Sequence, residues 1–206
     1  MNDPSVPVYR QFSHDVKELL DDALRVLPVS HPYHSIREQT KQDFLQLWRF
    51  RHRVSLFDLI REFFGLIDEY FFFSNIGPHV QLSVRHIYSR YDYWEPRTQR
   101  IVIHTLAWDR RHWRRSRELV ASVLHEAVYA YLDLFTTQRS FEAEGLDRNP
   151  HGMSFHVLYQ TLTNTINRWV PDPTGFAVIC YEDGDEEEAE LHHLLSYSQG
   201  QRRRMG

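Results

Sequence analysis

The residues with the clearest chemical potential lie on one apolar stretch, residues 124–135, which reads LHEAVYAYLDLF. His125 and Glu126 stand side by side, and Tyr129 follows His125 by four positions. Side chains at i and i+4 share one face of a helix, so two donors at this spacing can hold one metal ion while the intervening glutamate polarises a water molecule. In the usual zinc arrangement both places carry histidine. Tyrosine in the second place leaves three interpretations open: a metal site with an unusual ligand, a site that has lost its metal, or a helix that never bound one.

A further ligand would have to come from elsewhere in the chain. The segment PHGMSFH supplies His151 at the start of a predicted helix. The polar loop before it, residues 136–150, is long enough to let this histidine fold back onto the first helix. Three of the four groups that such a site requires are therefore present.

The surrounding sequence predicts an α+β domain with helices packed on a small antiparallel sheet. The sheet prediction comes from two runs rich in β-branched and aromatic residues, 80–94 and 99–106, which EPRT separates as a turn. Pro28 and Pro32 are predicted to break the chain after its first helix. Periodic apolar positions predict helices over 14–27, 55–73, 108–135 and 151–170, and a further strand is predicted over 176–181.

Taken together and in order, these segments resemble a SprT-like domain, the zinc-metalloprotease family that includes the Spartan-type proteases acting on DNA–protein crosslinks. The resemblance covers residues 55–170 and rests on LFDLIREFFGLIDEYFF, VQLSV, IVIHTL, ELVASVLHEAVYAYLDLF and HGMSFHVLYQTLTNTIN. The family's motif helix normally reads His-Glu-x-x-His-Ala, and its third ligand is the histidine of a Gly-His-Gly-x-x-Phe-like turn. This chain departs from that pattern at Tyr129 and at Pro150. The first departure falls on the chemistry itself.

The resemblance implies a zincin-like fold whose motif helix carries the His-Glu pair. It makes His125 and His151 ligands of Zn²⁺, puts Tyr129 in the second ligand's place, and makes Glu126 the catalytic general base. A held zinc ion would lower the pKa of its bound water towards ~7, and Glu126 would pass the water's proton to the leaving amine. A phenol has a pKa near ~10, so its deprotonation at pH 7 costs about 4 kcal/mol.

We therefore expect a SprT-like metalloprotease-family protein with impaired or lost activity. Its substrate class, by resemblance, is proteins, including proteins bound to DNA. The alternative is a non-catalytic pseudoprotease that acts as a protein or nucleic-acid interaction module. A decayed copy without any selected activity is a third interpretation.

A basic run, DRRHWRRSR, lies just before the motif helix and interleaves arginine with tryptophan. Such a patch could contact phosphates while its rings stack on unpaired bases. A solvated helix face is the competing interpretation, and salt-dependent binding to single-stranded DNA separates the two. The predicted nucleic-acid contacts are Arg110, Arg111, Arg114 and Arg115.

The whole chain has 206 residues, 42% of them hydrophobic, which is enough for one packed domain. We divide it into an N-terminal helical extension over 1–50, a SprT-like domain over 51–181 and a charged, disordered tail over 182–206. The formal net charge of −4 is too mild to imply a nucleic-acid binder by itself.

The cellular compartment of the protein is predicted from features that the sequence lacks. Cys180 is the only cysteine, which makes a reducing compartment the default. No apolar stretch reaches the ~20 residues of a membrane span, and the first residues do not resemble a secretory signal. We expect an intracellular protein, either cytoplasmic or nuclear. We expect it to bind a protein substrate or a protein partner, and DNA is a second candidate partner.

Overall fold

Six α-helices pack on one three-stranded sheet in the part of the chain that the structure, a computed structural model, describes. This part comprises residues 9–89, 91–107, 112–143 and 152–170, without the side chains of 141–143. The predicted mixed α+β class is confirmed. The helices are α1 (Val16–Leu24), α2 (Pro32–Phe50), α3 (Leu56–Phe72), α4 (Ser116–Phe135), α5 (Gln138–Ala143) and α6 (Met153–Trp169), and the strands are β1 (Gln81–Tyr88), β2 (Tyr93–Glu95) and β3 (Arg100–Leu106).

The sheet is mixed, so the predicted antiparallel sheet is wrong in one of its two pairings. β3 lies in the centre, antiparallel to β2 across the EPRT turn and parallel to β1 on its other side. Residues 101–105 of β3 are all buried, whereas β1 is partly or fully exposed along its length. A strand buried on both faces suits the middle of a sheet, and a half-exposed strand suits an edge. The predicted run 80–94 therefore contains two strands, and only the second forms a hairpin with β3.

Short side chains and one proline set the starts of the first three helices. α3 begins as predicted, because the Ser55 hydroxyl accepts the Asp58 N–H at 3.1 Å and donates to the Asp58 carboxylate at 2.6 Å. α1 begins after Asp15, whose carboxylate accepts a backbone N–H of the first turn at 2.8 Å. Pro32 does not interrupt the chain but begins α2, because the first turn of a helix does not need the N–H that proline lacks.

The helix that carries His125 begins at Ser116, later than the predicted start at residue 108. The backbone N–H of Arg115 donates to the Glu118 carboxylate at 3.1 Å, which stabilises this first turn. The predicted loop over 136–150 contains the short helix α5. The predicted strand over 176–181 and the tail over 182–206 lie outside the described residues.

One hydrophobic core joins the N-terminal helices to the rest of the described chain. Phe44 of α2 packs on Phe63 of α3 with ring centroids 4.9 Å apart. The Tyr131 hydroxyl of α4 donates to the Leu19 carbonyl of α1 at 3.0 Å. α4 lies in the middle of this core and is buried from residue 119 to residue 135. No helix of the described ranges is both long and apolar enough to cross a membrane.

Candidate functional site

His125 and Glu126 form a buried pair on α4, with 5% and 2% of their surfaces exposed. The imidazole Nδ1 lies 2.9 Å from Glu126 Oε1. When Glu126 is ionised it only accepts hydrogen bonds, so Nδ1 carries the proton and the lone pair lies on Nε2. The carboxylate therefore orients the imidazole, as carboxylates commonly do for a metal-binding histidine.

The Glu126 carboxyl is held between His125 and strand β2. Burial raises its pKa, and hydrogen bonds from His125 and from the Trp94 backbone N–H oppose the rise. Trp94 is fully buried, and its indole Nε1 donates to the Asp133 carboxylate of α4 at 3.1 Å. The catalytic role predicted for Glu126 stays a prediction.

Three aromatic rings surround the His125 imidazole. Its centroid lies 5.0 Å from that of Tyr129, 4.9 Å from that of Phe155 and 5.2 Å from that of Tyr159, all with edge-to-face geometry. Tyr129 also stacks on Phe155, with centroids 4.4 Å apart and planes 29° apart. With 8% of its surface exposed, Tyr129 has the environment of a core aromatic residue.

His151 lies outside the described residues, so its predicted place beside His125 stays a prediction. The described chain resumes at Gly152, and Phe155, three residues later, packs on the imidazole. Within the described ranges, no group of three or more His, Cys, Asp and Glu side chains could hold a metal ion. These residues alone therefore do not complete a zinc site, and zinc remains a prediction that depends on His151.

Sequence reasoning missed a buried polar network between β3 and the start of α4. The Asp92 carboxylate accepts the His104 backbone N–H at 2.6 Å, lies 3.2 Å from His104 Nδ1, and forms a salt bridge with Arg114. Arg114 in turn donates to the Ser122 hydroxyl at 2.6 Å. Burial alone would raise the pKa of Asp92, but the His104 hydrogen bond and the Arg114 charge hold it below its usual range.

This network removes one arginine from the predicted basic patch. Arg114 points inward and donates to Asp92, to two carbonyl oxygens and to a hydroxyl group. Arg115 is exposed at the surface. Arg110 and Arg111 lie outside the described residues. Of the four predicted nucleic-acid contacts, the described chain offers only Arg115 to a ligand in solution.

No protein-family model, curated protein or solved structure matches this chain. The resemblance to SprT-like domains therefore remains a prediction that depends on the motifs themselves.

Proposed function

We propose that this chain is a SprT-like metalloprotease-family protein whose peptidase activity is impaired or lost. The observation that carries the proposal is the packing of Tyr129, which is buried and stacks on Phe155 at 4.4 Å. The ring of Tyr129 is fixed by this stacking and by its contact with the His125 imidazole, with centroids 5.0 Å apart. In the second ligand's place this chain therefore has a residue positioned by ring packing.

The size of the expected defect follows from the chemistry of the phenol. Ionising Tyr129 at pH 7 costs about 4 kcal/mol, and about 1.4 kcal/mol corresponds to a tenfold change in affinity. A site with tyrosine in this place should therefore bind zinc more weakly than one with histidine, by up to about 1,000-fold where the metal–phenolate bond regains none of this cost. The Glu126 carboxylate is buried and lies 2.9 Å from His125 Nδ1, so it contacts the imidazole instead of facing a water molecule, which also fits impaired catalysis.

Metal content tests the proposal directly. We expect the purified full-length chain to carry far less than one zinc per molecule after dialysis against zinc, measured by mass spectrometry of the metal. Tyr129→His should raise the content towards one zinc and confer cleavage of an unstructured protein. Tyr129→Phe is the matched control, because it keeps the ring and adds no donor.

Two outcomes would contradict this. One zinc per molecule in the wild-type protein, with cleavage that Glu126→Gln abolishes, would show that the tyrosine serves as a ligand and that activity is intact. Failure of a folded Tyr129→His variant to bind zinc would remove the metalloprotease assignment. Removing His125 in the Tyr129→His background checks that the metal occupies the proposed place.

A non-catalytic interaction module is the second candidate, and the edge of the sheet favours it. β1 pairs with β3 on one side, and within the described residues no strand covers its other side. An extended peptide can add to such an edge through backbone hydrogen bonds. Uncleaved binding of an unstructured protein, equal in the wild type and in Glu126→Gln, would support this function over catalysis.

The DNA part of the proposal rests on the basic run alone. Binding to single-stranded DNA that weakens steeply with added salt would support it. Arg115→Gln should weaken such binding. Absence of binding at low ionic strength would remove DNA from the proposal.

A further inference from the structure

A second candidate site lies away from His125, in a cavity of about 590 Å³ between α1, α2, α3 and α6. This volume lies within the range of small-molecule sites, about 300–1,000 Å³. The cavity is lined by the last residues of α1 and by the C-terminal half of α6. We call it the basic cavity, after the ionisable side chains that line it: Arg25, His34, Arg37, Glu38, Lys41 and Arg168.

The basic cavity concentrates positive charge on a chain whose formal net charge is −4. Its lining contains four arginine and lysine side chains and one glutamate, which gives a surplus of three positive charges before salt bridges are considered. Arg25 is neutralised by its salt bridge with Asp22, and Lys41 lies 3.5 Å from Glu38. Arg37 and Arg168 form no salt bridge within the described residues, so they leave the cavity attractive to an anion.

Arg37 is the key residue of the cavity, with 8% of its surface exposed. Its Nη1 donates to the Arg25 carbonyl at 2.8 Å. Its Nε and Nη2 meet no acceptor in the part of the chain that the structure describes. These two N–H groups lie on one edge of the planar guanidinium and match the two oxygens of a carboxylate or phosphate group.

The surroundings of Arg37 explain why an oxyanion would be stabilising there. Its guanidinium carbon lies 4.6 Å from the ring centroid of Phe73 and 5.3 Å from that of Tyr70. Burial lowers the pKa of Arg37, yet a guanidinium remains charged at neutral pH. A buried guanidinium with two unsatisfied N–H donors is stabilised most by a ligand that carries both a negative charge and hydrogen-bond acceptors. Both N–H groups are buried in the structure, so binding requires the guanidinium to turn towards the cavity that Arg37 lines.

Three aromatic side chains also line the basic cavity. Tyr70, Phe71 and Trp169 line it, and Trp169 stacks on Phe71 with planes 9° apart. Tyr70 meets Trp169 edge to face at 4.5 Å. Both Tyr70 and Trp169 are partly exposed. A ligand that combines a ring with one oxyanion group would match both the aromatic and the basic side chains of the cavity.

We propose that the basic cavity binds a small aromatic oxyanion, whose carboxylate or phosphate group is held by Arg37 and Arg168 while its ring lies on Trp169. The basic cavity is separate from the buried His125–Glu126 pair and does not depend on zinc. α6 contributes to both, through Phe155 near its start and Trp169 at its end.

Isothermal titration calorimetry with three probes of similar size tests the proposal. Phenyl phosphate and benzoate carry the two oxyanion groups, and benzyl alcohol carries none. We expect one of the two anions to bind at a single site with a dissociation constant below about 1 mM, and benzyl alcohol not to bind. The tighter of the two anions identifies phosphate or carboxylate as the preferred group.

Substitutions locate the binding. Arg37→Met should weaken the bound anion at least tenfold, and Arg168→Met, at an exposed position, should weaken it severalfold without disturbing the fold. Arg61→Met is the matched control, because Arg61 is exposed on α3 and does not line the cavity. Equal binding of benzyl alcohol, no binding of either anion, or unchanged affinity in a folded Arg168→Met variant would overturn the proposal.

Discussion

Replacing Arg114 with methionine should lower the free energy of unfolding by about 3–5 kcal/mol, the usual cost of breaking a buried ion pair. The magnitude follows from what the substitution leaves behind. The Asp92 side chain has 2% of its surface exposed, and without Arg114 it would keep its charge with hydrogen bonds from His104 and Ser122 but no ion-pair partner of full charge. Ser122 and two carbonyl oxygens would also lose a donor. Arg115→Met is the matched control and should change stability by less than about 0.5 kcal/mol, because that side chain is exposed.

Urea unfolding at pH 7, followed by circular dichroism and tryptophan fluorescence, measures both variants. The Asp92→Asn/Arg114→Met double variant should be more stable than Arg114→Met alone, because asparagine leaves no buried charge unpaired. A loss below about 1 kcal/mol for Arg114→Met, or equal losses for the two arginines, would refute the assignment of Arg114 to the interior. It would return Arg114 to the predicted surface patch.

Three further predictions concern stability. Burial raises the pKa of Asp68 from 3.8 to about 6 in the folded chain. The protonated carboxyl therefore contributes about 3 kcal/mol to the free energy of unfolding below pH 3.8, and this contribution is lost as the pH rises through 6. Asp68→Asn should reduce the dependence of the unfolding free energy on pH, measured by urea unfolding from about pH 4 to about pH 7. Gly77→Ala should cost about 1–3 kcal/mol, because its Cβ would lie 2.9 Å from Asp68 Oδ2, and thermal unfolding would show it as a lower midpoint. Ser55→Ala should cost about 1 kcal/mol through loss of the α3 cap, with an unchanged denaturant slope in urea.

Much of the helical structure could be predicted because its determinants are local. Ser55 and Asp58 are three residues apart and begin α3 by contacting each other. The apolar continuity of residues 119–135 predicts the buried helix that carries His125 and Glu126. The β2–β3 hairpin follows from a turn sequence between two short apolar runs.

The remaining features depend on residues that meet only in the folded chain. The direction of β1 is set by its place beside β3, and alternation along a strand does not encode the direction of its neighbour. Asp92 reaches His104 and Arg114, which lie 12 and 22 positions further along the chain. In the sequence Arg114 is one arginine among several in a basic run, so its inward direction has no local signature. The basic cavity likewise arises where separate helices meet.

The shared core has a consequence for the evolution and handling of this protein. Phe44 and Trp48 of α2 cover Phe63, and Tyr9, which precedes α1, packs on Tyr131, so the N-terminal segment shields rings of the central helices. A chain shortened to begin at residue 51 would present those rings to water, and we expect it to aggregate more readily than the full chain. Removing the N-terminal helices would therefore require other side chains to cover the same apolar surface of the central helices.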